Sequence, residues 1–138
     1  MRYIPITNYN IKQLEDFIKS IGTSSRSFRY YNSRDISIIK NHITTFLLYD
    51  NKFVGYGHLD QEDSKVWLGI CVTQGSLGKG YGKKIMQRLI HSYNGTINLS
   101  VDQDNHRAIA LYKLFNFLET HRSDHIIYME RQGNDNSN

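Results

Sequence analysis

The stretch Trp67–Gly82, WLGICVTQGSLGKGYG, and the helix that follows it decide how the chain is read. Val66–Val72 is an apolar run of strand length and reads as a buried strand. A turn follows at Thr73–Ser76. Four glycines, Gly75, Gly78, Gly80 and Gly82, then fall close together. Directly behind them, KKIMQRLIHSY places Ile85, Met86, Leu89, Ile90 and Tyr93 on helical spacing. A strand, a glycine turn and a helix start can build an anion site from backbone alone. The first N–H groups of a helix have no intrahelical partner, and the macrodipole adds positive character there. Glycines remove the Cβ atoms that would hold a phosphate away.

Two common phosphate loops fail letter by letter. A Walker loop needs Gly-Lys-Ser/Thr after its four-residue spacer, but Tyr81 follows Gly80. The dinucleotide fingerprint needs a third glycine at Lys83 or Ile85 and finds none. Leu77-Gly78-Lys79-Gly80-Tyr81-Gly82 does resemble the acyl-CoA pyrophosphate loop of the GNAT superfamily of N-acetyltransferases, Arg/Gln-x-x-Gly-x-Gly/Ala. Leu77 stands where that family usually carries Arg or Gln. A second stretch adds to the resemblance. After a strand at Thr96–Val101, the chain has Asn105, Ala108, Leu111, Tyr112 and Phe117 at the spacings of the family's second signature. Asn116 replaces the usual glycine, a mild change because Asn tolerates the left-handed conformation that ends helices. The resemblance spans residues 43–131 and is strongest over 66–117.

The 138 residues predict one domain, 1–132, with a disordered polar tail at 133–138. Apolar residues make up 39%, enough for a core, and no run is long enough to span a bilayer. MRYIPITNYN lacks the apolar region of a signal peptide, and the single cysteine, Cys71, has no internal partner. Both point to a cytoplasmic protein. A net charge of +4 and a pI near 9.2 suit an anionic ligand. They do not by themselves imply nucleic acid, because zinc-finger spacing, a basic run and an aromatic RNA signature are all missing.

The expected elements are a strand at Arg2–Ile6 and a helix capped by Asn10 that carries Ile11, Leu14, Phe17, Ile18 and Ile21 and stops at Gly22. A loop at Thr23–Asn32 and a second helix, Arg34–His42, follow. Thr44–Tyr49 and Lys52–Leu59 form a hairpin around Asp50-Asn51, and Gln61–Ser64 makes the next turn. His125–Arg131 closes the chain, with a short strand around Phe117–Glu119 before it. The order β-α-α-β-β-β-α-β-α-β is α/β. The resemblance implies a GNAT-like mixed, mostly antiparallel sheet with helices on both faces.

The resemblance also implies roles. Acetyl-CoA is the co-substrate, its pyrophosphate held by backbone N–H groups of Leu77, Gly78, Lys79, Gly80, Tyr81 and Gly82, with Lys83 close by. The pantetheine arm pairs with Ile70, Cys71 and Val72, where the family's central strand parts from the next one. Asn105 bonds that arm or, on the plainer reading, caps its helix. Tyr112 protonates the departing thiolate as general acid, or is a core tyrosine. No carboxylate lies between Val66 and Val72 to act as base. His58 is the nearest residue of suitable type, with a reference pKa of about 6.5. Its plainer reading is a solvent-facing strand histidine; Asp60 and Glu62 could act through a water or be solvated turn carboxylates, and an acceptor amine of low pKa would need no dedicated base. Cys71 reads as packing rather than nucleophile, and the histidines show no metal-ligand spacing. The acceptor side falls to Arg29, Tyr30 and Tyr31, whose side chains suit an anionic acceptor with a flat or sugar face. Three functions stay open: an acetyltransferase for a small-molecule amine such as an amino-sugar nucleotide, a protein N-acetyltransferase, and an acyl-CoA-binding domain without catalysis. A homodimer through HIIYMER is a further expectation.

Overall fold

The structure, a computed structural model, describes residues 1–21 and 42–133. Strand β1 spans Arg2–Pro5 and ends where proline can no longer donate to a ladder. Helix α1, Ile11–Ile21, buries Leu14, Phe17 and Ile21 at i, i+3 and i+7 on one face. Asn10 directly precedes it but does not spend its side chain on the helix. Its Oδ1 accepts from the Thr7 N–H at 2.7 Å and its Nδ2 donates to the Pro5 carbonyl at 2.9 Å, which fastens the turn to β1 instead.

Gly22, the loop Thr23–Asn32 and most of the expected second helix lie outside the described residues. His42, expected at the end of that helix, is the first residue of strand β2, His42–Tyr49. Strand β3, Phe53–Glu62, returns through Asp50–Lys52, with Asn51 in the left-handed region at φ 65°. β3 runs further than Leu59, and Glu62 still pairs with Lys65 of β4, Lys65–Val72. The expected turn Gln61–Ser64 therefore shrinks to Asp63 and Ser64. Both have positive φ (52° and 67°), the geometry of a two-residue hairpin that Asp and Ser can adopt.

A 3₁₀ turn at Gln74–Ser76 leads to helix α2, Tyr81–His91. Strand β5 is Ile97–Asp102, helix α3 is His106–Leu114, and β6 and β7 are Leu118–Ser123 and Ile126–Arg131. Asn116, at φ 72°, ends α3 in the left-handed conformation that the sequence suggests. Among the described residues, seven strands form one sheet in the order β1-β2-β3-β4-β5-β7-β6. Every neighbouring pair is antiparallel except β4 and β5. β7, which carries most of HIIYMER, lies between β5 and β6, and β6 forms the outer edge of the sheet on that side.

Strand alternation sends successive side chains to opposite faces. Tyr56 and Cys71 join Leu14 and Phe17 of α1 on one face. Ile85, Met86 and Leu89 of α2 pack on the other, with Phe46, Leu59, Leu68 and Leu99. Each such side chain, fully buried, contributes on the order of 2 kcal/mol. Gly57 lets α2 sit directly on β3, since a Cβ there would lie 2.7 Å from Ile85 Cγ2 and 3.0 Å from Phe46 Cζ.

Candidate active site

β4 and β5 pair over only two positions, Val66 with Ile97 and Trp67 with Asn98. Beyond them the strands part, and Ile70, Cys71 and Val72 form one wall of a cleft of about 440 Å³. Asn105, Ala108, Leu111 and Tyr112, from α3 and its N-cap, face it, and the glycine loop with the first turn of α2 supplies the third side. Asn98, at the point of divergence, donates from Nδ2 to the Val66 carbonyl at 3.3 Å and helps hold the short seam together.

The loop has the shape an anion needs. Gly78 and Gly80 have φ of 82° and 85°, where L side chains are strained, and a Cβ on either would meet no atom within 4 Å. Both thus border open space that a ligand can enter. Gly80 is the N-cap of α2 and brings no side chain to cap it, and the leading N–H groups of a helix have no intrahelical partner. Gly82 has a different reason to be glycine. Its Cβ would stand 3.0 Å from Leu111 Cδ2, so it serves the packing of α2 on α3. Leu77 lines the cleft with an apolar side chain, whereas Lys83 and Arg107 bring positive charge to it. Lys79 is exposed and does not line the cleft. Tyr81, the first residue of α2, donates its hydroxyl to Asp50 Oδ2 at 2.5 Å, tying the loop to the β2–β3 hairpin. This hydrogen bond, together with burial and the carboxylate's charge, holds the Tyr81 pKa above its ordinary value.

Asn105 takes the plainer of its two readings and also borders the cleft. Its Oδ1 accepts from the Ala108 N–H at 3.2 Å and caps α3, while the residue also lines the cleft. Tyr112 is buried on α3, its ring 6.0 Å from that of Phe117. Burial, with a smaller contribution from nearby Cys71, pushes its hydroxyl pKa well above the ordinary range, so the phenol keeps its proton at neutral pH.

Cys71 is buried against α1, and burial pushes its thiol pKa up to about 12. Such a thiol packs rather than attacks. The fold keeps the thiol proton between pH 9 and 12, where the unfolded chain loses it. The associated stability is complete below pH 9 and is lost as the pH rises towards 12, by about 1.4 kcal/mol per unit. Denaturant unfolding at pH 8 and pH 10 is expected to show a loss on this scale from Cys71, and Cys71→Ala should flatten the slope by that amount. An unchanged slope would show that the thiol titrates alike in both states.

His58 and Asp60 depart from their plainer readings. Both are buried, with His58 Nε2 3.0 Å from Asp60 Oδ1. His58 pairs across the ladder with Gly69, the residue before Ile70. Arg29, Tyr30 and Tyr31 lie outside the described residues. Gln74, Ser76 and Arg107 line the cleft and were not singled out from sequence. Arg107 sits between two motif residues, and that position was the available signal.

The sheet opens between two parallel strands, with a glycine loop and a helix start at the mouth of the opening. The chain belongs to the acetyltransferase (GNAT) family, whose model matches residues 9–117. It is therefore an acetyl-CoA-dependent acetyltransferase. Solved structures share the fold at low identity. The GNAT domain of S. lividans PAT superposes with a TM-score of 0.78 at 13% identity, covering 95% of this chain and 89% of that one. A phosphinothricin acetyltransferase from Sinorhizobium meliloti, in complex with acetyl-CoA, gives 0.72 at 15%, with 96% and 88% covered. The ribosomal-protein-S18-alanine N-acetyltransferase from Escherichia coli gives 0.69 at 17%, with 95% and 92% covered. No curated protein sequence matches the chain. No helix among the described residues is long and apolar enough to cross a membrane.

Proposed function

We propose that this acetyltransferase moves the acetyl group of acetyl-CoA to the primary amine of a small anionic molecule, such as an amino-sugar nucleotide, by direct transfer in a ternary complex. The observation that carries the reading is Tyr112, a buried, protonated phenol on the same cleft as the open edge of β4 and the glycine loop. The backbone of Leu77–Gly82, with Lys83, receives the pyrophosphate, and Ile70–Val72 align the pantetheine arm. The Asn105 Oδ1 is engaged as a cap, which leaves its Nδ2 as the donor to that arm. The amine nitrogen attacks the thioester carbonyl, the carbon–sulfur bond breaks, and Tyr112 gives its proton to the sulfur. His58 takes the proton that the amine sheds. Burial of Cys71 as a neutral thiol supports direct transfer over a covalent acyl-cysteine.

Support for an anionic acceptor comes from Arg29, Tyr30 and Tyr31, suited to phosphate and sugar faces. The protein-directed reading draws on fold neighbours that modify ribosomal-protein alanine. Amino-sugar phosphates, amino-sugar nucleotides and peptide α-amines should be screened by release of free CoA thiol. Release with an amino-sugar compound is the expected result. Release with peptides alone would move the assignment to a protein N-acetyltransferase.

A further inference from the structure

We infer that Arg107 binds the ribose 3′-phosphate of coenzyme A and so sets the chain's preference for the full cofactor over its 3′-dephosphorylated form; this rests on the reading above, in which the pyrophosphate lies on the glycine loop. Coenzyme A brings two anionic groups to its site, the pyrophosphate and the phosphate monoester on the ribose, and both are charged at neutral pH. Among the described residues, the cleft lining carries two cations, Lys83 and Arg107, and no carboxylate. Lys83 stands in the first turn of α2, beside the loop. Arg107 stands in the first turn of α3, on the facing wall.

Arg107 and Leu111 are i and i+4 on α3, so they lie in one row along the helix. That row faces α2, because a Cβ on Gly82 would stand 3.0 Å from Leu111 Cδ2. Arg107 is one turn nearer the start of α3, about 5.4 Å of rise. Tyr112 lies the other way along the helix. Helical side chains lean towards the N-terminus, so the guanidinium extends away from Tyr112. The arginine therefore belongs to the end of the cleft opposite the reacting carbonyl. With the pyrophosphate on the loop, that is the end that receives the nucleotide.

Arg107 is exposed, and the ion pairs among the described residues join other groups: Lys12 with Asp16, His58 with Asp60, and Arg122 with Glu119. A phosphate would thus not have to displace a carboxylate from it. Its planar fork can give two N–H bonds to one phosphate group. Leu77 lines the cleft from the loop and offers none, so α3 supplies the guanidinium instead. An arginine at the open rim also meets the ribose phosphate without the cost of burying either charge.

Calorimetric titration of the full chain with CoA and with 3′-dephospho-CoA, at low ionic strength, tests this. The parent is expected to bind CoA about tenfold more tightly than dephospho-CoA. Arg107→Gln removes the charge from an exposed side chain, and its thermal unfolding without ligand should match the parent's. It should bind both ligands alike, with the parent's affinity for dephospho-CoA. Lys83→Gln should weaken both ligands by a similar factor and keep the preference, since both carry the pyrophosphate. Equal affinity of the parent for the two ligands overturns the inference. So does an Arg107→Gln chain that keeps the parent's preference. If its affinity for both ligands falls together, Arg107 serves the pyrophosphate; if neither falls, it is a solvated surface arginine. A parent that binds neither ligand sinks the reading of the loop as the pyrophosphate site, which is a distinct result.

Discussion

Gly80→Val is expected to abolish acetyl-CoA binding in a chain that still folds. Gly80 sits at φ 85° and ψ 5°, the left-handed region. Placing an L residue there costs about 1–2 kcal/mol, and a β-branched one more. Nothing lies within 4 Å of the new Cβ, so the added bulk meets open space rather than the core. The strain is relieved if the loop turns, and turning it re-aims the N–H groups at the start of α2. Where the loop holds its conformation, the valine fills the space intended for phosphate. Either way the cofactor loses its seat. Thermal unfolding with and without acetyl-CoA checks this. At 100 times its dissociation constant the ligand should stabilise the parent by about 2.7 kcal/mol, a rise of several degrees. The variant should show no rise. A normal rise would mean that the glycine loop does not hold the cofactor.

Tyr112→Phe is expected to lower kcat by about 100-fold or more while leaving the acetyl-CoA thermal shift almost intact. The substitution removes one oxygen from a buried ring and keeps the packing against Phe117. Stability should therefore move little, and turnover should fall because the thiolate must leave unprotonated. The loss should appear in kcat rather than in the apparent affinity for acetyl-CoA. Unchanged turnover would remove Tyr112 from the chemistry and leave it a core residue.

Much of the fold is legible in the chain because each element advertises itself locally. Ile85, Met86 and Leu89 mark α2 by their spacing, and the run Val66–Val72 marks β4. β6 is harder to see. LETHRS faces solvent along its whole length, so it lacks the apolar alternation that betrays a half-buried strand. Its pairing with β7, not its composition, makes it a strand. The glycine loop before α2 is legible too, since Gly78, Gly80 and Gly82 stand at fixed offsets in the chain. The stacking of the His42 ring on that of His58 is not. His42 and His58 are sixteen positions apart and meet only through the β2–β3 register. The pairing of His58 with Asp60, two residues apart on a strand, could have been read from alternation. Its burial could not, because what covers a sheet face is a tertiary fact. Asp50 reaching Tyr81 is likewise visible only once the hairpin and the loop are folded together.

The two-position seam between β4 and β5 bears on how the molecule comes apart. Among the described residues, the ladder joins β1 through β4 on one side and β5 through β7 on the other, with Val66–Trp67 and Ile97–Asn98 as the only parallel bridge between them. An arm laid along Ile70–Val72 would act as an additional strand at the weakest joint of the sheet. Loading the enzyme then does more than fill a cavity. It couples the two halves of the sheet, so that openings which occur separately in the empty protein become a single cooperative event.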